Sequence, residues 1–375
     1  MKKDIYFPNY DHSILALSNA LLKKYGLTPY HTPLKCIEQK LQKYNNIVLM
    51  IFDGMGMNIL NQHLKKEDFL RQHLFQELSS VYPPTTATAT TSIHSGLSPL
   101  EHGWLGWMQY FKEYDKVIEL FRNTDFYTGK KVVDGVPIGF DVLAYEEIYT
   151  KITHQNPDVH FTKIFPDWAE NGVSSLSQMN ERIINALNSH KKNLILSYWT
   201  EPDHSIHRHG EKSLIAHQLM QEINKSVENL FNDLRNDTLI LITADHGIVD
   251  ADEIFLNDIE GFSDCFKNPP SMEVRLVSFF IKEDKKERFL SLFNKYFKDD
   301  FLLYTHDEYI NSGLLGEGTP HTKVNDFVGD YVAISHGKRA LCYYTEKDKA
   351  ISLTADHAGI TKDEMVVPLI ILEKE

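Results

Sequence analysis

Asp203 and His207 bracket the pentad Asp203-His204-Ser205-Ile206-His207, and a spacing of four puts both side chains on one face of a helical turn. A carboxylate and an imidazole so placed can hold one cation together. Pro202 suits the first turn of that helix and Gly210 its end. Asp245-His246-Gly247 offers the same two donor types on adjacent residues. Neighbouring side chains diverge along an extended chain, so these two meet at one ion only where the backbone turns sharply, which Gly247 permits. Asp53-Gly54 supplies a third carboxylate, and Asp356-His357-Ala358-Gly359 a third imidazole in His357. Each fragment alone has an ordinary reading: a solvated Asp–His pair, a chance tripeptide, an Asp capping the next helix. By spacing, His336-Gly337 competes with His357 for the last place. Context joins the fragments. Asp53, Asp203 and Asp245 each trail an apolar, strand-like run: Ile47 to Phe52, Leu194 to Trp199 and Leu239 to Thr243. A lone carboxylate buried there costs several kcal/mol unless it is paired or bound to metal. The set therefore points to divalent cations.

A hydroxyl nucleophile is also on offer. Tyr82-Pro83-Pro84-Thr85-Thr86-Ala87-Thr88-Ala89-Thr90-Thr91 packs five threonines into seven positions. After the prolines a helix is predicted, ending near Gly96, and a hydroxyl at its start would sit in the positive field of that helix. An alkoxide needs such help, and a bound cation lowers a hydroxyl's pKa further. Spacing does not choose among the threonines, and any one of them serves equally well as a helix cap.

The elements that must position these groups are legible as apolar runs. Ile47–Phe52, Leu194–Trp199, Leu239–Thr243, Val274–Ile281 and Val366–Leu372 read as strands buried on both faces. Helical periodicity fills the intervals at 179–189, 213–234 and 286–297. Near the N-terminus, Asp11 is placed to cap a helix carrying Ile14, Leu17, Leu21 and Leu22 on one stripe, with Gly26 as its stop. Strands alternating with helices predict an α/β fold with a mainly parallel sheet sandwiched between helices. Sites in such sheets form at the carboxyl ends of the strands, where the Asp and His residues fall. From Trp104 to Asn171 the rhythm breaks, with eight aromatics between Trp104 and Tyr127. This predicts a core over residues 1–103 and 172–375 and a small inserted cap over 104–171, whose aromatics either pack a cap core or stack on a base.

At 375 residues the chain can bury a full core. Its net charge of −13 argues against a nucleic-acid or anionic-membrane surface, although two divalent ions would still draw anionic small molecules. Cys36, Cys265 and Cys342 are few and scattered, which excludes a cysteine-built zinc site and fits a reducing compartment. Met1-Lys2-Lys3 leads into no apolar core like that of a signal peptide, and no run approaches the ~18 apolar residues of a membrane span. The expectation is a cytoplasmic protein.

In this order, the fragments resemble the alkaline phosphatase superfamily, and within it the type I phosphodiesterase/nucleotide pyrophosphatase family. The resemblance runs through Asp53-Gly54, Tyr82 to Thr86, and Ser95-Gly96-Leu97-Ser98-Pro99-Leu100-Glu101-His102-Gly103. It continues with Pro202-Asp203, His207 and Gly210, with Asp245-His246-Gly247, and with His357 followed by Ala358-Gly359-Ile360-Thr361-Lys362-Asp363-Glu364-Met365-Val366-Val367-Pro368-Leu369. That ending selects His357 over His336, and Thr86 stands ten residues before Gly96 as the family's nucleophile does. The resemblance implies an alkaline phosphatase-like core and two divalent ions, zinc before manganese. One ion would be held by Asp203, His207 and His357, the other by Asp53, Asp245, His246 and the Thr86 oxygen. It further implies in-line attack by Thr86 on a small phosphorylated substrate, through a phosphothreonine that water then hydrolyses. One position departs. Trp107 stands where nucleotide pyrophosphatases carry an Asn that donates to a phosphoryl oxygen; its indole N–H can donate one bond but is far bulkier. Diester and anhydride hydrolysis thus share the field with a phosphonate hydrolase, a phosphomonoesterase or a phosphomutase of the same superfamily, and with a non-catalytic binding protein on the same fold.

Overall fold

The computed structural model describes residues 5–346 and 352–375. Its main sheet is assembled from the unbroken apolar runs. Strand β1, Asn46–Phe52, is buried along its whole length, as a strand covered on both faces must be. Five further strands join it: β2 (Leu74–Ser79), β3 (His160–Ile164), β4 (Asn193–Trp199), β5 (Thr238–Thr243) and β6 (Val366–Lys374). The order across the sheet is β2-β6-β5-β1-β4-β3. β5, β1, β4 and β3 are parallel, and β6 runs antiparallel to both β5 and β2. β1 pairs in register with both neighbours, Phe52 lying opposite Trp199 and Ile51 opposite Thr243. The chain therefore leaves all three central strands at one edge. Truncating a fully buried member such as Leu49 to Ala would cost ~2–5 kcal/mol.

Helices cover the sheet as α1 (Ile14–Lys24), α2 (Thr86–Ser95), α3 (Leu176–Ser189), α4 (Asp203–His209) and α5 (Leu214–Asp233). α3 buries Leu176, Met179, Ile183 and Leu187, and α5 buries Met220, Ile223, Val227 and Leu230, the 3.6-residue stripes of their sequences. The cap of α1 is Ser13, not Asp11. Ser13 has the extended backbone a cap requires and its Oγ accepts from the Ala16 N–H, whereas Asp11 lies in a preceding 3-10 turn. Polar residues on the buried face of α1 tie it to α2: Ser18 Oγ donates to the Ile93 carbonyl at 2.8 Å and Asn19 Nδ2 to that of Gly96 at 3.0 Å.

A second, antiparallel sheet of seven strands joins distant parts of the chain: 301–305, 331–335, 276–279, 271–272, 108–111, 116–119 and 124–125, in that spatial order. The run at 274–281, expected in the parallel sheet, forms its strand here instead, against 331–335. An apolar run specifies burial and not which sheet provides it. Conversely, β3 lies inside the 104–171 stretch yet pairs with β4 in the main sheet. Its half-exposed pattern is that of an edge strand, so it lacks an apolar signature. Trp104 and Phe111 are buried in the core of the second sheet, Trp104 packing on Phe121 and Phe140 with ring centroids 5.3 and 5.1 Å away.

Candidate active site

Three strand ends and two helix starts deliver the acidic and imidazole groups to one place. Asp53 follows β1 directly, and its N–H bonds to the carbonyl of Trp199, the last residue of β4, at 2.9 Å. Gly54 then turns the chain at φ +67°, where any Cβ would lie 2.7 Å from that of Asp203, so only glycine fits. Asp203 opens α4 and donates its N–H to the Asp53 carbonyl at 3.1 Å. Asp245 and His246 follow β5. The Asp245 Oδ1 accepts from the N–H groups of His246 (3.0 Å) and Gly54 (3.2 Å), a cap that turns the backbone and brings both side chains inward. Thr86 is the first residue of α2, with Thr85 as its extended N-cap and Gly96, at φ +72°, closing its far end.

The result is a buried cluster. Thr86 Oγ1 lies 3.1 Å from His246 Nε2 and 3.4 Å from Asp53 Oδ1, and those two atoms are 3.3 Å apart. His246 Nδ1 faces the Gly247 carbonyl at 3.1 Å and so carries the proton, leaving Nε2 free towards Thr86. His207 is set the same way: Nδ1 donates to the Ala355 carbonyl at 2.8 Å and Nε2 lies 3.2 Å from Asp203 Oδ2. Tyr198 donates its hydroxyl to Asp53 Oδ2. The His246 and His357 rings are 4.0 Å apart and those of His207 and His357 5.1 Å.

These groups are poorly satisfied by one another. Burial raises the Asp53 carboxyl well above its usual range, the charges of Asp245 and Asp203 raise it further, and the Tyr198 hydroxyl opposes them. Burial likewise raises Asp245. Burial also opposes ionisation of Asp203, yet His207 outweighs it and holds Asp203 below the carboxylate range. Burial pulls His207 down while Asp203 lifts it to about 10. His357 is pushed far below its usual range by burial and then by His246. Three buried polar atoms in the cluster have no hydrogen-bond partner: Asp203 Oδ1, Asp245 Oδ2 and His357 Nδ1. Ligand atoms of Asp53, Asp245 and His246 lie within 4.8 Å of one another, as do those of Asp203, His246 and His357. Carboxylate oxygens and imidazole nitrogens, buried, convergent and lacking partners, fit divalent cations.

Against this geometry the comparisons are specific. Residues 47–312 match the type I phosphodiesterase / nucleotide pyrophosphatase family. The chain belongs to that family. It is accordingly a phosphoric ester hydrolase of the phosphodiesterase/pyrophosphatase kind, and its sandwiched, mostly parallel sheet is the alkaline phosphatase-like fold. Among solved structures it is similar to murine ectonucleotide pyrophosphatase / phosphodiesterase 5, with a TM-score of 0.63 and 16% identity over 86% of this chain and 87% of that one. The human protein of the same description gives 0.61 and 16% over 86% and 87%. An inactive threonine-to-alanine form of the murine protein, in complex with AMP, gives 0.63 and 17% over 87% of each chain. Compared by sequence with curated proteins, the chain matches none.

Other residues of this phosphodiesterase-family chain surround the cluster. The indole N–H of Trp107 donates to Glu119 Oε1 at 2.9 Å, and its ring packs on Phe121 and under Arg122. The one hydrogen the side chain could offer a phosphoryl oxygen is therefore engaged elsewhere. The backbone N–H of Trp107 donates to Glu273 Oε1 at 2.6 Å, and Thr85 Oγ1 donates to the same oxygen at 2.6 Å. Burial raises the Glu273 carboxyl to about 8. His102 is neutral, held down to about 3 by burial. Its Nδ1 accepts from Trp104 N–H at 3.0 Å and its Nε2 donates to Ser92 Oγ on α2 at 2.9 Å, bracing the Thr86 helix. His336, the rival for the last imidazole, is buried on the loop after strand 331–335. Sequence reasoning missed Tyr198, Glu273 and Asp356, although Asp356-His357 repeats the Asp245-His246 dipeptide and was there to be read.

Proposed function

We propose that this hydrolase cleaves phosphodiesters or nucleotide anhydrides through a phosphothreonine on Thr86, with two divalent cations, zinc before manganese, held by Asp203, His207 and His357 and by Asp53, Asp245, His246 and Thr86. When bound, the ions would neutralise phosphoryl charge and lower the pKa of hydroxyl and water. The observation that carries the reading is the position of Thr86: its oxygen lies at the start of a ten-residue helix, within 3.4 Å of both Asp53 and His246. The positive helix end stabilises an oxyanion there. Thr86 Oγ1 attacks phosphorus in line, forming the P–O(Thr) bond as the bond to the departing oxygen breaks, and the proton lost from the Thr86 hydroxyl ends on that departing oxygen. Water then attacks phosphorus from the vacated side, and Thr86 leaves with a proton. Glu273, from the second sheet, fixes the Thr85 cap against the start of the 108–111 strand, so that sheet walls the nucleophile. A mononucleotide-sized substrate is supported by the AMP complex of the murine neighbour, and the chain's net charge of −13 disfavours polyanionic surfaces. Among the described residues no helix is long and apolar enough to cross a membrane.

The test is an activity screen with added zinc or manganese against bis-p-nitrophenyl phosphate, p-nitrophenyl phosphate and phosphosugars, run beside Thr86→Ala. The expected result is diester cleavage, abolished in Thr86→Ala while metal content is retained. Sugar-phosphate isomers without free phosphate would replace this reading with a mutase; near-full activity of Thr86→Ala would remove Thr86 from the nucleophile role.

A further inference from the structure

The Asp356-His357 pair is built like the Asp245-His246 pair. In both, the Asp Oδ1 accepts the backbone N–H of the following His, at 2.9 Å for 356–357 and 3.0 Å for 245–246. This cap settles how two adjacent side chains, which ought to diverge, turn to the same side. It also leaves the second oxygen of each Asp outside the cap, and that of Asp245 is buried without a partner. The two imidazoles lie 4.0 Å apart, so the pairs meet in one cluster. Ala355–Asp356 is held there as a two-residue strand against Val249–Asp250, just beyond Gly247, and the Ala355 carbonyl fixes the His207 ring. His207, Asp356 and His357 each present a ligand atom within 4.8 Å of the other two. Asp356 is only 8% exposed; His207, a member of the same trio, faces it, and the more distant Arg275 is already engaged bidentately by Glu364, at 2.7 and 3.0 Å. His357 beside it keeps a buried nitrogen with no partner.

We propose that Asp356 is a further ligand of the ion assigned to Asp203, His207 and His357, standing to that ion as Asp245 stands to the other. The inference rests on the two-cation reading above. It changes the character of the site. Two carboxylates balance the charge of one divalent ion and add a hard oxygen donor, which improves the standing of manganese relative to zinc. It also gives the ion a ligand from the same strand that orients His207, so a bound ion would reinforce the hydrogen bonds from Thr354 N–H to the His207 carbonyl and from His207 to the Ala355 carbonyl that already tie this segment to α4.

The experiment measures ion stoichiometry by elemental analysis and affinity by chelator competition, with Zn2+ and with Mn2+, on the full-length protein and on Asp356→Asn. The amide keeps an oxygen for the His357 N–H, so the metal-free variant should melt with the metal-free wild type. Two ions are expected on the wild type. On Asp356→Asn one ion should stay tight and the other weaken at least ~10-fold, more for Mn2+ than for Zn2+. Anomalous diffraction from manganese-loaded wild-type crystals gives a second readout that no folding defect can confuse. An Asp356 oxygen within about 2.2 Å of an ion, an ordinary carboxylate-to-metal distance, supports the proposal; an ion with that oxygen beyond about 3 Å overturns it. Two ions on Asp356→Asn at wild-type affinity would defeat this inference alone. A wild type that takes up no ions would defeat the two-cation reading and this inference with it.

Discussion

Arg275 and Glu364 are both fully buried, and replacing Arg275 with Met should be among the most damaging changes outside the cluster itself. The pair is bidentate, Nε to Oε1 at 2.7 Å and Nη2 to Oε2 at 3.0 Å, and the guanidinium also donates to the carbonyls of Gly337 (2.9 Å) and Arg339 (3.1 Å). Glu364 in turn accepts from Gly359 N–H at 2.7 Å and Thr361 Oγ1 at 2.6 Å, while its own carbonyl accepts from Gly247 N–H at 2.9 Å. Gly247 follows His246 and Gly359 lies two residues after His357, so one ion pair supports both loops that carry those imidazoles. Removing one partner of a buried pair costs ~3–5 kcal/mol, because the other charge is left without compensation. Unfolding entropy of ~2.1 cal/mol/K per residue gives roughly 0.8 kcal/mol/K for a chain of this length. Arg275→Met should therefore lower Tm by ~4–6 °C in calorimetry. The double change Arg275→Met/Glu364→Gln removes the stranded charge but keeps an acceptor for Gly359 and Thr361, so it should recover at least half of the loss. A single variant melting within about 1 °C of wild type, or a double variant no better than the single, would refute the charge-compensation argument.

Asp203→Asn exchanges a charged ligand for a neutral one and should lower metal occupancy; elemental analysis at full two-ion stoichiometry would count against that. Tyr198→Phe takes the hydroxyl donor from Asp53, and loss of a partner that orients a ligand should weaken ion binding ~10–100-fold in a chelator competition. Gly54→Ala forces a side chain into positive φ, 2.7 Å from the Asp203 Cβ, so stability should drop by ~1–3 kcal/mol for the backbone alone, and Tm and metal content should fall with it. Glu147 gives a pH signature. Burial would raise its carboxyl, but hydrogen bonds from His94 and Lys163 hold it at about 2. Lys163, at 2.6 Å, supplies a charge throughout this range, while burial lowers His94. A depressed carboxyl stabilises above its unfolded pKa and loses that contribution as pH falls through its folded one. The Tm gap between wild type and Glu147→Gln should thus be full at pH 6 and close between about 4.5 and 2; a gap that ignores pH would sink it.

The central sheet was legible because burial on both faces writes itself as uninterrupted Val, Ile and Leu, and β1, β4 and β5 are such runs. β3 was not, since an edge strand half open to water keeps polar residues. The second sheet was opaque for another reason: it pairs 108–111 with 271–272, and no local pattern encodes a partner so distant along the chain. Residue chemistry had the same horizon. The helix could be read from Pro83-Pro84 and Gly96, and the resemblance picked out Thr86 among its threonines, but the acceptor that occupies the Trp107 indole is Glu119, and only the fold brings them together.

That horizon explains why most of the clustered Asp and His residues could be listed from the sequence while Asp356 was not singled out. Parallel strands release their chains at one edge, so any Asp or His just past an apolar run is a candidate for a shared site. The rule finds Asp53, Asp203 and the Asp245-His246 pair, all on the central strands. It passes over the Asp356-His357 stretch, which enters on a two-residue strand with no apolar run before it. What identifies that stretch is a local device: a carboxylate that caps the next residue's N–H frees its second oxygen and turns both side chains one way. Asp-His dipeptides at chain turns are therefore worth pairing in sequence before any strand is assigned, because the cap depends on two adjacent residues and not on the sheet.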